Sequence, residues 1–231
     1  MPEQAHEMVA PITIVQHRLF NPYTNYQYYL SAGFMPTVLQ MFIIMASLLA
    51  LGIELKTGTA GEWLDAAHGN TAAAVMGKLC PYTACFFLEG VFMVSMLVRY
   101  GGTPLWGHMW IILLGLLAYI LAYQAVAVTI LGSLANMRFA MTVGASYASI
   151  GFTFCGLTFP AMAMPLAVRY IGDTIPLTHY LRIYISQSLR GAPLGTDIPS
   201  LCALLAFLAL PLLVRSRWHR ILREEQYWGG L

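Results

Sequence analysis

The amino-acid sequence predicts an all-α, polytopic membrane helix bundle, and three observations carry that prediction. Hydrophobic residues make up 58% of the 231-residue chain and charged residues only 10%, against about a quarter charged in a soluble domain that must cover its surface. Mean hydropathy is +0.66. Three stretches hold no Asp, Glu, Lys or Arg, namely Leu19 to Ile53, Tyr100 to Met137 and Phe139 to Val168. Each exceeds the ~20 residues a helix needs to cross the hydrocarbon core.

Five transmembrane helices follow from the charges that bound these runs. The first spans about 30–53 and ends at Glu54 and Lys56. The second spans about 80–98, between Lys78 and Arg99, with Glu89 inside it. The third spans about 110–134 and is closed by Arg138. The fourth spans about 139–159 and runs into Pro160 and Pro165, which break a helix by removing a donor and crowding the preceding turn. The fifth, about 198–214, stops at Arg215. Residues 1–29 form an external N-terminal tail and 215–231 a cytoplasmic tail on this reading. The orientation rests on Lys and Arg near the span ends. A cytoplasmic C-terminus puts Lys56, Lys78, Arg138, Arg215, Arg217, Arg220 and Arg223 inside, and leaves Arg18, Arg99, Arg169, Arg182 and Arg190 outside.

The inside loop from Glu54 to Lys78 is more than a connector. Thr59 and Glu62 stand at the S/T-x-x-E spacing of a capping box, in which the two side chains satisfy each other's free backbone amides. Gly58 supplies the turn before them, and the predicted helix carries Trp63 and Leu64 to a stop at His68-Gly69-Asn70. A second short helix over about Thr71 to Met76 leads back to the membrane. Two readings stay open: an interfacial helix anchored by Trp63, or a docking helix for a cytoplasmic partner.

The stretch from Phe159 to Gly195 cannot be one helix, because Pro160, Pro165 and Pro176 punctuate it. It predicts two short helices dipping into the outer leaflet, the second capped by Thr178 and ending at Gly191 and Pro193. Broken backbone at that depth must be surrounded by protein or a water-filled cavity, so the element is expected to lie over the bundle. On the fourth span, Ala140, Gly144 and Ala148 form a small-residue face for close helix packing.

Glu89 is the one acid inside a span. A carboxylate there is costly and marks a functional site by default; the alternative is a neighbouring helix that offers Tyr119, Tyr123 or Gln124 as a hydrogen-bond partner. Cys80, Cys85, Cys155 and Cys202 read as buried small hydrophobes. The net charge of +2 excludes nucleic-acid binding, which needs a basic face to displace counterions. A Ser146–His179 intramembrane protease is disfavoured, since Tyr147 follows the serine and His179 lies in a Pro-bounded segment. Gly77-Lys78 lacks the glycine spacing of a P-loop, so no nucleotide site of the chain's own is expected.

Taken in order, several pieces form a more specific set. They are Asn21-Pro22-Tyr23-Thr24-Asn25-Tyr26, Glu54-Leu55-Lys56-Thr57-Gly58-Thr59, Gly77-Lys78-Leu79 with Pro81-Tyr82, Phe159-Pro160 with Met164-Pro165, Ile175-Pro176-Leu177-Thr178, and Leu189-Arg190-Gly191-Ala192. From about Phe20 to the C-terminal tail this set resembles the membrane subunit of an ABC-2-type transporter, an exporter permease of the bacterial inner membrane. The resemblance implies that Glu54, Lys56, Gly58, Thr59, Glu62, Trp63 and Leu64 form a cytoplasmic coupling helix and its approach, docking on a separate ATP-binding subunit. It implies that Pro160, Met164, Pro165 and Pro176 belong to an extracellular re-entrant element, and that two membrane copies, as a homo- or heterodimer, enclose the path. ATP and magnesium would sit on the partner subunit, with no cofactor on this chain. Two departures stand out: Lys56 replaces a second acid commoner in the family, and the family's usual first span and large external domain have no counterpart before Phe20. The alternatives are an ion-coupled secondary transporter using Glu89, with Tyr119, Tyr123 and Gln124 along the path, or a membrane component that does not transport.

Overall fold

A computed structural model describes residues 26–157 and 164–228, and most of these are helical, with no strand among them. The first helix, α1, covers Tyr26–Thr57 and leads into a short helix, α2, at Ala60–Ala66. Then come α3 (Thr71–Arg99), α4 (Met109–Leu134) and α5 (Met137–Phe154). Two short helices follow, α6 (Leu166–Asp173) and α7 (Pro176–Ile185), and α7 runs on into a π-helical turn at Ser186–Arg190. The chain closes with α8 (Ile198–Ala206), a 3-10 turn at Phe207–Ala209, α9 (Leu210–Leu213) and α10 (Arg215–Ile221).

Among the described residues, four helical segments are long and apolar enough to cross a membrane: Gly33–Thr57, Thr71–Arg99, Met109–Leu134 and Leu194–Leu213. The expected fourth span, 139–159, is the shorter α5 and is not among them. It carries Thr142, Ser146, Ser149 and Thr153 along its length, and it ends at Phe154 rather than at the prolines because Gly156 turns into the left-handed region (φ 88°). Pro160 lies outside the described residues. The expected break between Thr71–Met76 and the second span is absent, since α3 runs unbroken through Gly77 and Lys78. Its start is set by Asn70, whose Oδ1 accepts from the amides of Ala72 (3.1 Å) and Ala73 (3.2 Å), as an N-cap does. The last span is not one regular helix either. A 3-10 turn before Pro211 separates α8 from α9, because proline cannot donate into the preceding turn.

Helix α4 is the axis of the bundle, with 78% of its apolar window buried. Its own small residues and those of its neighbours let the helices approach. Ala140, Gly144 and Ala148 of α5 are buried against α1, and a Cβ at Gly144 would stand 2.5 Å from Leu48 Cδ1. At the same contact the amide of Gln40, itself fully buried, ties three helices. Its Nε2 donates to the Ala148 carbonyl (3.0 Å) and its Oε1 accepts from the Tyr123 hydroxyl of α4. Inside a bilayer such polar contacts and close packing replace the hydrophobic driving force between helices.

Three of the four cysteines depart from the expectation of burial: Cys80, Cys85 and Cys202 are exposed, and only Cys155 is buried. The outer faces of α3 and of the Leu194–Leu213 segment explain this, since only 22% and 17% of their apolar windows are covered by the rest of the chain.

The packing makes a graded set of expectations. Gly144→Ala overpacks the α1–α5 contact and is expected to cost about 1–3 kcal/mol. Gln40→Leu strands the Tyr123 hydroxyl and costs a similar ~1–3 kcal/mol. Gly77→Ala, whose new Cβ would meet nothing within 4 Å, gains about 0.5–1 kcal/mol from helix propensity. Thermal unfolding midpoints of the detergent-solubilised variants check the order.

Candidate functional site

Where the chain leaves α1, a half-buried carboxylate organises the loop. Glu54 Oε1 accepts from Lys78 Nζ of α3, and its Oε2 accepts from the Thr59 hydroxyl that precedes α2. The Lys78 ammonium also lies over the Trp63 ring of α2, 4.9 Å from its centroid, a cation–π arrangement that adds to the pairing. Gly58 makes the turn in the left-handed region (φ 77°), where a side chain would be strained. The Thr59 amide then reaches the Glu54 carbonyl (3.0 Å). Glu54, Thr59, Lys78 and Trp63 thus clamp α2 between the end of α1 and the first turns of α3.

The expected capping box does not form. Thr59 is at the N-cap position but makes no side-chain cap bond, because its hydroxyl is taken by Glu54 and also lies 2.8 Å from the Thr57 hydroxyl. The hydroxyl is turned to donate to a full negative charge, the strongest acceptor nearby, and its oxygen accepts from none of the first amides of α2. Glu62 is therefore left exposed, alongside exposed Lys56, while Leu64 is buried and Trp63 half-buried. The outward face of α2 is polar and of mixed charge, with Lys56, Glu62, Asp65 and His68 exposed.

The loop has a second brace that the sequence reading missed. The tail beyond Arg215 folds back under the bundle. Trp218 is 2% exposed, and its Nε1 donates to the Val128 carbonyl of α4 (3.0 Å). The indole fits because Gly132 has no side chain there, since a Cβ would stand 2.4 Å from Nε1. Ile221 and Leu222 are fully buried, Thr71 Oγ1 and His219 Nδ1 are 3.1 Å apart, and Trp228 packs on Gly61 of α2. The only signal in the sequence was Trp218, Ile221 and Leu222 at helical spacing among the arginines.

Of the expected path residues, Tyr119 and Tyr123 meet edge to face, with ring centroids 5.1 Å apart, and Glu89 stands away from them. Glu89 lies exposed on the outward face of α3, beside exposed Leu88 and Phe92. Tyr119 and Tyr123 are fully buried. Tyr119 donates to the Pro36 carbonyl (2.6 Å) and Tyr123 to Gln40. Gln124 accepts from the Thr83 hydroxyl (2.8 Å). The reason is rotational: Gly90, one residue on from Glu89, faces Leu116 of α4, which turns the carboxylate outward. The tyrosines instead continue a stacked column in the core, with Tyr119 and Tyr180 ring centroids 4.7 Å apart.

At the opposite end, α6 and α7 are the two short helices expected around Met164, Pro165 and Pro176. Pro165 and Pro176 sit at their N-termini. Thr178 does not cap α7, which begins two residues earlier with Pro176 in its first turn. Almost all of α7 is buried, and Gln187 after it is a hub. Gln187 accepts from the His108 amide through its side chain (2.9 Å) and from the Gly107 amide through its carbonyl (2.8 Å). Its Nε2 reaches the Ala192 carbonyl (3.0 Å) and the Asp197 carboxylate. Ser146 and His179 do not meet: the first donates to the Thr142 carbonyl (2.9 Å), and the second lies 2.9 Å from the Asp173 carbonyl. Among the described residues no cluster of three or more His, Cys, Asp or Glu side chains forms a metal-holding group.

Against known families, the chain matches the ABC-2 family transporter protein model over residues 1–214. No curated protein and no solved structure matches it.

Trp218→Ala empties the tail's anchor and is expected to cost about 3–5 kcal/mol locally. Limited trypsin digestion should then cut after Arg217, Arg220 and Arg223 faster than in the parent protein, and gel analysis of the time course reads it.

Proposed function

This chain belongs to the ABC-2 transporter family and is a multi-pass membrane transport protein; on that premise we propose that it is the permease subunit of an ATP-driven exporter. In this reading it encloses the translocation path with a second permease copy and docks on a separate ATP-binding subunit, which holds ATP and magnesium. The observation that carries the reading is the Glu54–Lys78–Trp63 clamp on α2. A helix tied at both ends to membrane helices passes on a push that a free loop would absorb.

The coupling follows mechanically. The ATP-binding subunit grips the polar outward face of α2, around Lys56, Glu62 and Asp65. Closure of two such subunits moves α2, and the Glu54 carboxylate carries that movement into α1 on one side and α3 on the other. Helix α1 passes it to α5 and α4 through Gln40. Helix α5 serves as the fourth of five spans: its 18 residues reach about 27 Å, close to the ~30 Å hydrocarbon core. Helices α6 and α7 form the re-entrant element that closes the exit. The arginine-rich tail sits on the cytoplasmic side of the bacterial inner membrane, where positive residues are retained.

A second reading, ion-coupled transport through Glu89, has one observation in its favour, a carboxylate on the open face of a span. The two readings separate in one set of measurements on the complex reconstituted in vesicles. Glu62→Ala with Trp63→Ala, and Glu54→Gln separately, are expected to weaken assembly with the ATPase subunit roughly tenfold or more. That follows from the ~1.5–3 kcal/mol carried by a charge-assisted contact. Stimulated ATP hydrolysis falls in parallel, while Glu89→Gln retains both. Loss of transport in Glu89→Gln alone, with coupling variants unaffected, moves the assignment to the ion-driven reading. A purified chain that associates with no ATPase subunit rejects the permease reading.

A further inference from the structure

Between the end of α5 and the helices α6 and α7 lies a pocket of about 150 Å³. Its walls are apolar, with Cys155, Leu157, Leu181 and Ile185 among the lining side chains. Three polar residues also line it, Arg169, Arg182 and Thr178. Asp173 pairs with Arg182 at 2.6 Å. No ion pair to Arg169 occurs among the described residues. The pocket region therefore keeps one positive charge in excess.

Thr178 supplies the independent observation. The residue is 5% exposed, and its Oγ1 has no hydrogen-bond partner. A buried hydroxyl left without a partner costs about 1–3 kcal/mol, which a ligand oxygen at this site would relieve. The surface around α6 adds a third feature. Leu166 and Tyr170, one turn apart, are 71% and 70% exposed, and Ile171 beside them is also exposed. An apolar helix face beside a cationic pocket is the arrangement that receives a molecule with an anionic head and a hydrocarbon tail. Guanidinium groups with a hydroxyl donor suit an oxyanion such as a phosphate ester.

We propose that the α5–α6–α7 pocket binds the oxyanion headgroup of an anionic amphiphile, held by Arg169, Arg182 and Thr178, with its tail lying along Leu166 and Tyr170. The site is separate from the α2 clamp and does not depend on the permease reading. Its ligand chemistry is an oxyanion, and the source is a lipid headgroup or a free anion of the same kind.

Cys155 in the pocket wall is the reporter. In the full chain with Cys80→Ser, Cys85→Ser and Cys202→Ser, purified in maltoside micelles, the rate of Cys155 modification by N-ethylmaleimide is followed by mass spectrometry. Three probes are added in turn: lysophosphatidylglycerol, lysophosphatidylcholine and inorganic phosphate. Lysophosphatidylglycerol at ~10 times its apparent Kd is expected to slow modification about tenfold; the zwitterionic lipid gives little protection. Arg169→Gln and Thr178→Val, each read against its own unprotected rate, raise the half-protecting concentration roughly tenfold, and Thr178→Ser keeps the parent value. Protection by phosphate alone, lost in the same variants, upholds the oxyanion site and assigns it to a free anion. Equal protection by both lysolipids, or protection indifferent to Arg169→Gln, overturns the proposal. Where Cys155 resists modification, bound lysolipid counted by native mass spectrometry must show the same order of ligands and variants.

Discussion

One buried amide holds the bundle in register. Gln40 belongs to α1, yet its side chain bonds α4 through Tyr123 and α5 through Ala148. In hydrocarbon the lipid tails are as apolar as leucine, so burial of leucine does not choose a helix neighbour. A glutamine in that setting must find its partners inside the protein, because leaving them unmade is costly. That need selects one rotation of α1 against α4 and α5. The small face of Ala140, Gly144 and Ala148 then makes the required approach possible. The rest of the core follows from this registration, including the burial of Tyr119 under Pro36 and its stacking on Tyr180.

The same logic recurs at both ends of the bundle, with different chemistry. At one end Glu54 gathers Lys78 and Thr59; at the other Gln187 gathers the loop before α4, the turn at Ala192 and Asp197. Each hub is a single side chain with several acceptor or donor positions, and each joins segments far apart in sequence. Movement applied to α2 therefore has a short polar route into α1 and α3. From α1 it reaches the central helix through Gln40. The tail contributes from below, where Trp218 hangs from the Val128 carbonyl and Trp228 rests on Gly61. The proposed coupling to an ATP-binding subunit would rely on connections of this kind, since flexible joints dissipate displacement.

Much of the candidate site was legible in residue types, and little of it in partners. Gly58, Trp63 and the His68-Gly69-Asn70 stop were visible as a turn, an amphipathic side chain and a helix end. The pairing was not: the Thr59–Glu62 spacing pointed to a local capping box, whereas Lys78, 24 residues from Glu54, pairs with the carboxylate to which the threonine hydroxyl donates instead. Spacing rules count local partners, and this ion pair is long-range. The facing of Glu89 was hidden for a related reason. Its place inside a span was plain from the sequence, but the direction it faces depends on which side of α3 meets α4, and that is decided by Gly90 against Leu116.

By itself the sequence determined the class of protein, the presence of apolar helices, the breaks at Pro165 and Pro176, and the small face of α5. These follow from composition and from intrinsic backbone limits, both of which act over a few residues. Only the tertiary structure decided that the arginine-rich tail is anchored rather than free. It also decided that Arg169, Arg182 and Thr178 share one pocket. Each of these depends on contacts between residues distant in the chain, where helix rotation and depth set which side chains meet. A periodicity of 3.6 residues leaves that rotation open, and the buried partners of Gln40, Glu54 and Gln187 close it.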